Sequence, residues 1–128
     1  MRCSSDVAIV RGLAAQVAEI AALPIQDEKR ALWRKLNGLA PARPMVMIDQ
    51  VCWNEMATGD ELTLRCQDAE CRVYEEKLRR ILFQWKHFPV DMVVEPFVRV
   101  PMAISNVKFA VTVHEEIAVT DPTNDGES

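Results

Sequence analysis

Three features of the amino-acid sequence predict an α/β fold: two short uninterrupted apolar runs, a long amphipathic helix between them, and prolines that separate the pieces. The runs are Met45-Val46-Met47-Ile48 and Met92-Val93-Val94. Runs of this length suit strands buried on both faces, and a long helix joining two of them is the mark of a right-handed βαβ unit in a parallel sheet. The expected architecture is amino-terminal helices, then the first βαβ portion of a sheet left incomplete within 128 residues, with a β-hairpin near the carboxyl end.

The elements follow in order. Over residues 5–22, Val10, Leu13, Ala14, Val17, Ile20 and Ala21 recur at steps of three and four, with Ser4 or Ser5 as N-cap and a stop at Leu23-Pro24. A second helix over about 26–36 brings Leu32, Trp33 and Leu36 together. It starts acidic at Asp27 and Glu28, finishes basic at Arg34 and Lys35, and ends at Asn37-Gly38, read as a left-handed cap. Residues 40–44 carry Pro41 and Pro44 and lead, extended, into the first apolar run. Residues 49–56 form a loop or short helix containing Trp53, and 61–66 alternate Leu62, Leu64 and Cys66 as a strand or extended connector. Asp68 caps the longest helix, which runs to about Lys86. Its apolar stripe is Cys71, Tyr74, Leu78, Ile81, Leu82 and Trp85, and Arg72, Glu75, Glu76, Lys77, Arg79 and Arg80 read as its solvated face. Beyond the second run, Val107, Phe109, Val111 and Val113 alternate with polar or small neighbours and pair with 117–119 as a hairpin, before a turn-rich polar tail over 120–128. These divisions make residues 1–39 a helical extension, 40–119 the started sheet with its hairpin, and 120–128 a tail, all within one partial domain.

Charge and composition narrow the function classes. The 19 acidic and 15 basic residues give a net charge of -4 without a basic run to follow a phosphate backbone, so nucleic acid is not the expected partner. No segment approaches the ~20 apolar residues that span a bilayer, and Asp6, Arg11, Gln16 and Glu19 interrupt any signal-peptide core, so no membrane association and a cytoplasmic location are expected. Cys3, Cys52, Cys66 and Cys71 form no C-x-x-C pair and read as buried hydrophobes or free thiols, and His87 and His114 stand apart from them. No metal site or catalytic set is therefore expected within the chain. His114-Glu115-Glu116 lacks the second histidine of a zincin helix, the glycines are too dispersed to cradle phosphate, and no serine stands in a G-x-S-x-G context. Glu95, ahead of Pro96 at the end of an apolar run, is the best single candidate, as a carboxylate that orients a substrate or moves a proton. The plainer reading pairs it with Arg99.

An ordered series of short patterns then suggests a family. Residues 29–37 (KRALWRKLN), 42–46 (ARPMV) with Trp53, the helix from Tyr74 to Trp85, His87-Phe88-Pro89-Val90-Asp91 and Val93-Val94-Glu95-Pro96 resemble the amino-terminal third of uroporphyrinogen decarboxylase-like proteins, which include corrinoid-linked methyltransferase relatives. The resemblance covers about residues 20–125. It implies a (β/α)8 barrel with chemistry at the carboxyl ends of the strands. Residues 45–48 and 92–94 would be its first two strands, and 49–53 and 95–99 would face the mouth. On that basis Trp53, Asn54, Glu95 and Arg99 are the candidate substrate-binding residues, although a tryptophan beside a short helix is also a common core residue. The decarboxylases grip substrate carboxylates through arginines after the first strand, and Asp49-Gln50-Val51-Cys52-Trp53 offers none. The methyltransferases hold zinc through histidine and cysteine in their carboxyl-terminal half, outside the part matched. The resemblance thus implies an amino-terminal segment that is not catalytically complete alone and carries no cofactor of its own, while zinc and a corrinoid protein would belong to a full-length relative. Its partners would be the remaining barrel segment or a second copy. The alternative is a small non-enzymatic binding or regulatory module that self-associates.

Overall fold

The computed structural model describes residues 4–100. Four helices carry it: α1 (Ser4–Ala21), α2 (Pro24–Asn37), α3 (Trp53–Met56) and α4 (Ala69–His87), with a 3-10 turn at Asp60–Leu62. Residues up to Val98 belong to one unit, and Arg99 begins a second.

The helices form where the periodicity places them. Pro24 fills the first turn of α2, where its missing N–H costs no hydrogen bond, and the chain bends by 64° between α1 and α2. Asp68 caps α4 by accepting from the Cys71 N–H at 3.0 Å. The end of α2 differs from expectation, because Gly38 has φ -84° and the left-handed residue is Leu39, φ 59°. The Leu39 N–H reaches Leu36 O and the Ala40 N–H reaches Lys35 O, which makes a Schellman cap with leucine in the place usually taken by glycine.

The core lies between α1 and α4. Leu13, Val17 and Ala21 on α1 meet Leu78 on α4, flanked by Ile81, Leu82 and Trp85, and Val94 and Met92 close it from the extended segment after α4. Leu78 is essentially fully enclosed, a position where truncation to alanine costs about 2–5 kcal/mol.

The βαβ unit, and with it the start of a barrel over residues 40–100, is not what the chain forms. Among the described residues there is no strand. Residues 45–48 and 92–94 form no strand, because side chains from α2, from α4 and from the turn after α4 take the backbone groups that a sheet ladder would need. Val46 N–H donates to Asp91 Oδ2 at 2.8 Å, Val94 N–H donates to Gln26 Oε1 at 2.9 Å, and Ile48 O accepts from Gln84. Among the described residues, one backbone hydrogen bond joins the two segments, from Asp91 N–H to Val46 O at 3.1 Å. Nor is the first run buried on both faces, for Val46 and Met47 are exposed. Of residues 61–66, read as a strand or extended connector, Glu61 and Leu62 fall in the 3-10 turn and 63–66 form no strand, with Cys66 buried. The hairpin expected over 107–119 and the tail over 120–128 lie outside the described residues.

The solvated face read on α4 is also corrected at two positions. Glu75 is wholly buried and the Arg79 side chain nearly so.

Candidate functional site

Two polar networks fix the extended segments to the helices, and one of them frames an open cleft. Gln26, Lys29, Arg30 and Trp33 recur at steps of three and four, which brings them to the side of α2 that meets residues 91–95. Gln26, fully buried, donates to Ile20 O and accepts from Val94 N–H. Lys29 sits over the Trp85 ring, 4.8 Å from its centroid. Arg30 donates to Asp27 Oδ1 at 2.8 Å and to Glu95 Oε2 at 3.1 Å. The Trp33 indole N–H donates to Asp91 O at 2.8 Å, which sets the orientation of its ring.

Asp91 is the hub of this network. Its carboxylate accepts both arms of the Arg43 guanidinium, at 2.6 and 3.0 Å, as well as the Val46 N–H. The Arg43 fork, followed by the Val46 N–H, outweighs burial and holds the Asp91 carboxyl well below the usual carboxylate range. The turn that delivers Asp91 is strained, since Val90 has φ 34°, a backbone region that β-branched residues avoid. The resulting cleft has a volume of about 440 Å3, with Arg30, Trp33, Arg34, Met47, Met92 and Glu95 along its walls.

The second network anchors residues 65–68. Glu75 accepts the N–H groups of Arg65 and Cys66 at 2.8–3.0 Å and the Arg79 Nε–H at 2.8 Å. Burial alone would raise its carboxyl, but the Cys66 and Arg65 N–H groups and Arg79 prevail and lower it to about 2. Asp6, on α1, accepts from Gln67 and Asp68 N–H at 2.9 and 2.8 Å. Burial, reinforced by the Glu75 carboxylate, pushes the Cys66 thiol up to about 12. On the surface, Glu61 binds both Lys86 and His87, and these two, Lys86 foremost, hold its carboxyl below the usual range.

The candidates chosen from sequence do not converge. Glu95 stands at the rim of the cleft, bonded to Arg30 in place of the Arg99 partner considered above. Arg99 is exposed and belongs to the second unit. Trp53 packs edge-on against Phe83 of α4, with ring centroids 6.2 Å apart at 71°, and the Arg80 guanidinium lies 5.1 Å from its ring centre, so its contacts are those of packing. Asn54 is exposed on α3. Arg30, Trp33, Arg34 and Asp91 were not among the candidates, and their one signal was a tryptophan set between arginines on a capped helix. Among the described residues no group of three or more His, Cys, Asp or Glu side chains could hold a metal ion, and no single helix is long and apolar enough to cross a membrane.

No protein-family model, curated protein or solved structure matches this chain.

Proposed function

We propose that this chain is an amino-terminal segment of a uroporphyrinogen decarboxylase-like, methyltransferase-related protein, not catalytically complete alone, and that its helical unit is a scaffold on which the remainder docks. The observation that carries the reading is the open apolar face of the extended segments. Val46 and Met47 in one, and Phe97 and Val98 just beyond the other, are exposed, next to backbone that Asp91, Gln26 and Arg30 fix in place. An exposed edge of extended backbone with large apolar side chains is what natural chains normally cover. The resemblance over residues 20–125 names the partner that would cover it. The acids available for proton transfer have structural duties here: Asp91 and Glu75 are held ionised by arginines and backbone N–H groups, and Glu95 is paired with Arg30. Zinc binding and exchange with a corrinoid protein would then reside in the remainder.

Co-expression with the polypeptide encoded directly downstream tests this. A stable complex is expected that binds zinc and exchanges a methyl group with a corrinoid protein, while the chain alone does neither. Met47→Asp should break the complex without changing the helical circular dichroism. Turnover by the chain alone, or full activity of the downstream polypeptide without it, would overturn the proposal. A concentration-dependent homodimer buried at Val46 and Met47 would favour a self-associating binding module.

A further inference from the structure

We infer that the cleft between α2 and residues 91–95 binds a small organic monocarboxylate with a flat apolar body. The inference shares Met47 with the docking reading, but its test is read at Arg34 and Trp33, which that reading does not use.

Charge accounting gives the sign of the ligand. Four charged side chains line the cleft, and three have ionic partners: Arg30 with Asp27 and Glu95, Glu95 with Arg30, and Asp91 with Arg43. Arg34, one turn beyond Arg30, makes no ion pair or hydrogen bond among the described residues. Asn37, three residues further on along α2, lines the same cleft and adds an amide that can donate to the same ligand. A carboxylate accepts from such a pair of donors in one plane.

The helix end does not oppose this. The carboxyl end of a helix carries partial negative charge on its unsatisfied carbonyls. Here the Gly38, Leu39 and Ala40 N–H groups bind the carbonyls of Arg34, Leu36 and Lys35, so the cap satisfies the oxygens nearest to Arg34 and Asn37.

The rest of the cleft gives the body of the ligand. The Trp33 ring is held by its N–H bond to Asp91 O and offers a fixed apolar wall. Met47, 65% exposed, and Met92 supply adaptable thioether surface around it. A volume of about 440 Å3 is in the range of small-molecule pockets and too small for a folded peptide element.

The probe is 3-phenylpropionate, titrated into the full chain while the indole N–H resonances of Trp33, Trp53 and Trp85 are followed by NMR. The Trp33 resonance should shift and saturate, with Trp53 and Trp85 unmoved. The neutral isostere 3-phenylpropanamide should bind at least about tenfold more weakly, as should the acid to Arg34→Gln, a tenfold change being about 1.4 kcal/mol. Arg11→Gln, exposed on α1, should bind as the parent does. The inference fails if Trp33 does not respond up to the solubility limit, if the amide binds as well as the acid, or if Arg34→Gln leaves affinity unchanged. The amide comparison needs no variant, so it decides even if a substitution disturbs folding.

Discussion

Replacing Glu75 by glutamine should cost about 3 kcal/mol of stability, although the two side chains are nearly the same shape. The carboxylate is fully buried and every contact it makes is with a donor: two backbone N–H groups and the Arg79 guanidinium. Glutamine must turn its NH2 toward one of them, setting donor against donor in a site closed to water. An unsatisfied buried donor costs about 1–3 kcal/mol, and an arginine stripped of its buried partner costs more. Linkage gives an independent figure, since lowering the carboxyl from 4.5 to about 2 corresponds to about 3 kcal/mol. Because the folded-state value is depressed, this stability is fully present above about pH 4.5 and is lost as pH falls toward about 2. Urea unfolding followed by far-UV circular dichroism, over a pH series, reads both effects. Glu75→Gln should lose stability at neutral pH and also lose much of the acid dependence in that window. Glu76→Gln, which breaks an exposed pair with Arg80, should change stability by less than about 0.5 kcal/mol. A cost at Glu75 below about 1 kcal/mol, or an acid limb identical to that of the parent, would refute the reasoning.

Two further predictions rest on single residues. Leu39→Gly should stabilise the protein by about 1 kcal/mol, because Leu39 holds a left-handed conformation while 92% exposed and so has almost no packing to lose; a lower urea midpoint for the variant would show that α2 does not end in this cap. Thiol labelling at mildly alkaline pH with mapping by mass spectrometry should modify Cys52 promptly and Cys66 only on unfolding, since Cys66 is enclosed and its thiol is pushed up to about 12; equal rates at the two sites would contradict the burial of Cys66 against α1 and α4.

The helices were legible because each combined a 3.6-residue apolar period with punctuation: the Pro24 start, the Asp68 cap, and the break after Asn37. The extended segments were misread for a physical reason. A short apolar run states that a segment meets a core, not what satisfies its backbone, and here side chains from α2, α4 and the turn after α4 do so. Those side chains were hidden because polar residues on an amphipathic helix are assigned to solvent by default. Their positions carried a signal nonetheless. Glu75 falls four residues after Cys71 and three before Leu78, in the buried register of α4, and Asp6 falls seven before Leu13 and eleven before Val17 on α1. Gln26 and Lys29 likewise share the face of Trp33. A polar residue in a core register is costly unless something is bound to it, and here Glu75, Asp6 and Gln26 bind backbone N–H groups of the neighbouring segments while Lys29 lies over the Trp85 ring. Of the site, Glu95 was legible as a strand-end acid, whereas its partner Arg30 and the hub Asp91 depend on contacts across more than forty residues of sequence, which no local pattern reports.

This arrangement also makes the extended segments one-sided, which bears on what could dock there. In extended backbone, successive N–H groups point to opposite sides. The side chain of Asp91, in the turn after α4, takes the Val46 N–H, and Gln26 of α2 takes the Val94 N–H, so one side of each segment is spent. The neighbouring N–H groups of Met47 and Val93 make no hydrogen bond among the described residues. An incoming extended strand could pair through those N–H groups without displacing the bonds to Asp91 and Gln26. Pairing through the Val46 and Val94 N–H groups would instead have to break the bonds to Asp91 and Gln26, leaving each of those side chains short of a partner at a cost of about 1–3 kcal/mol apiece. The bonds to Asp91 and Gln26 thus occupy the Val46 and Val94 N–H groups that a ladder between the two segments would need.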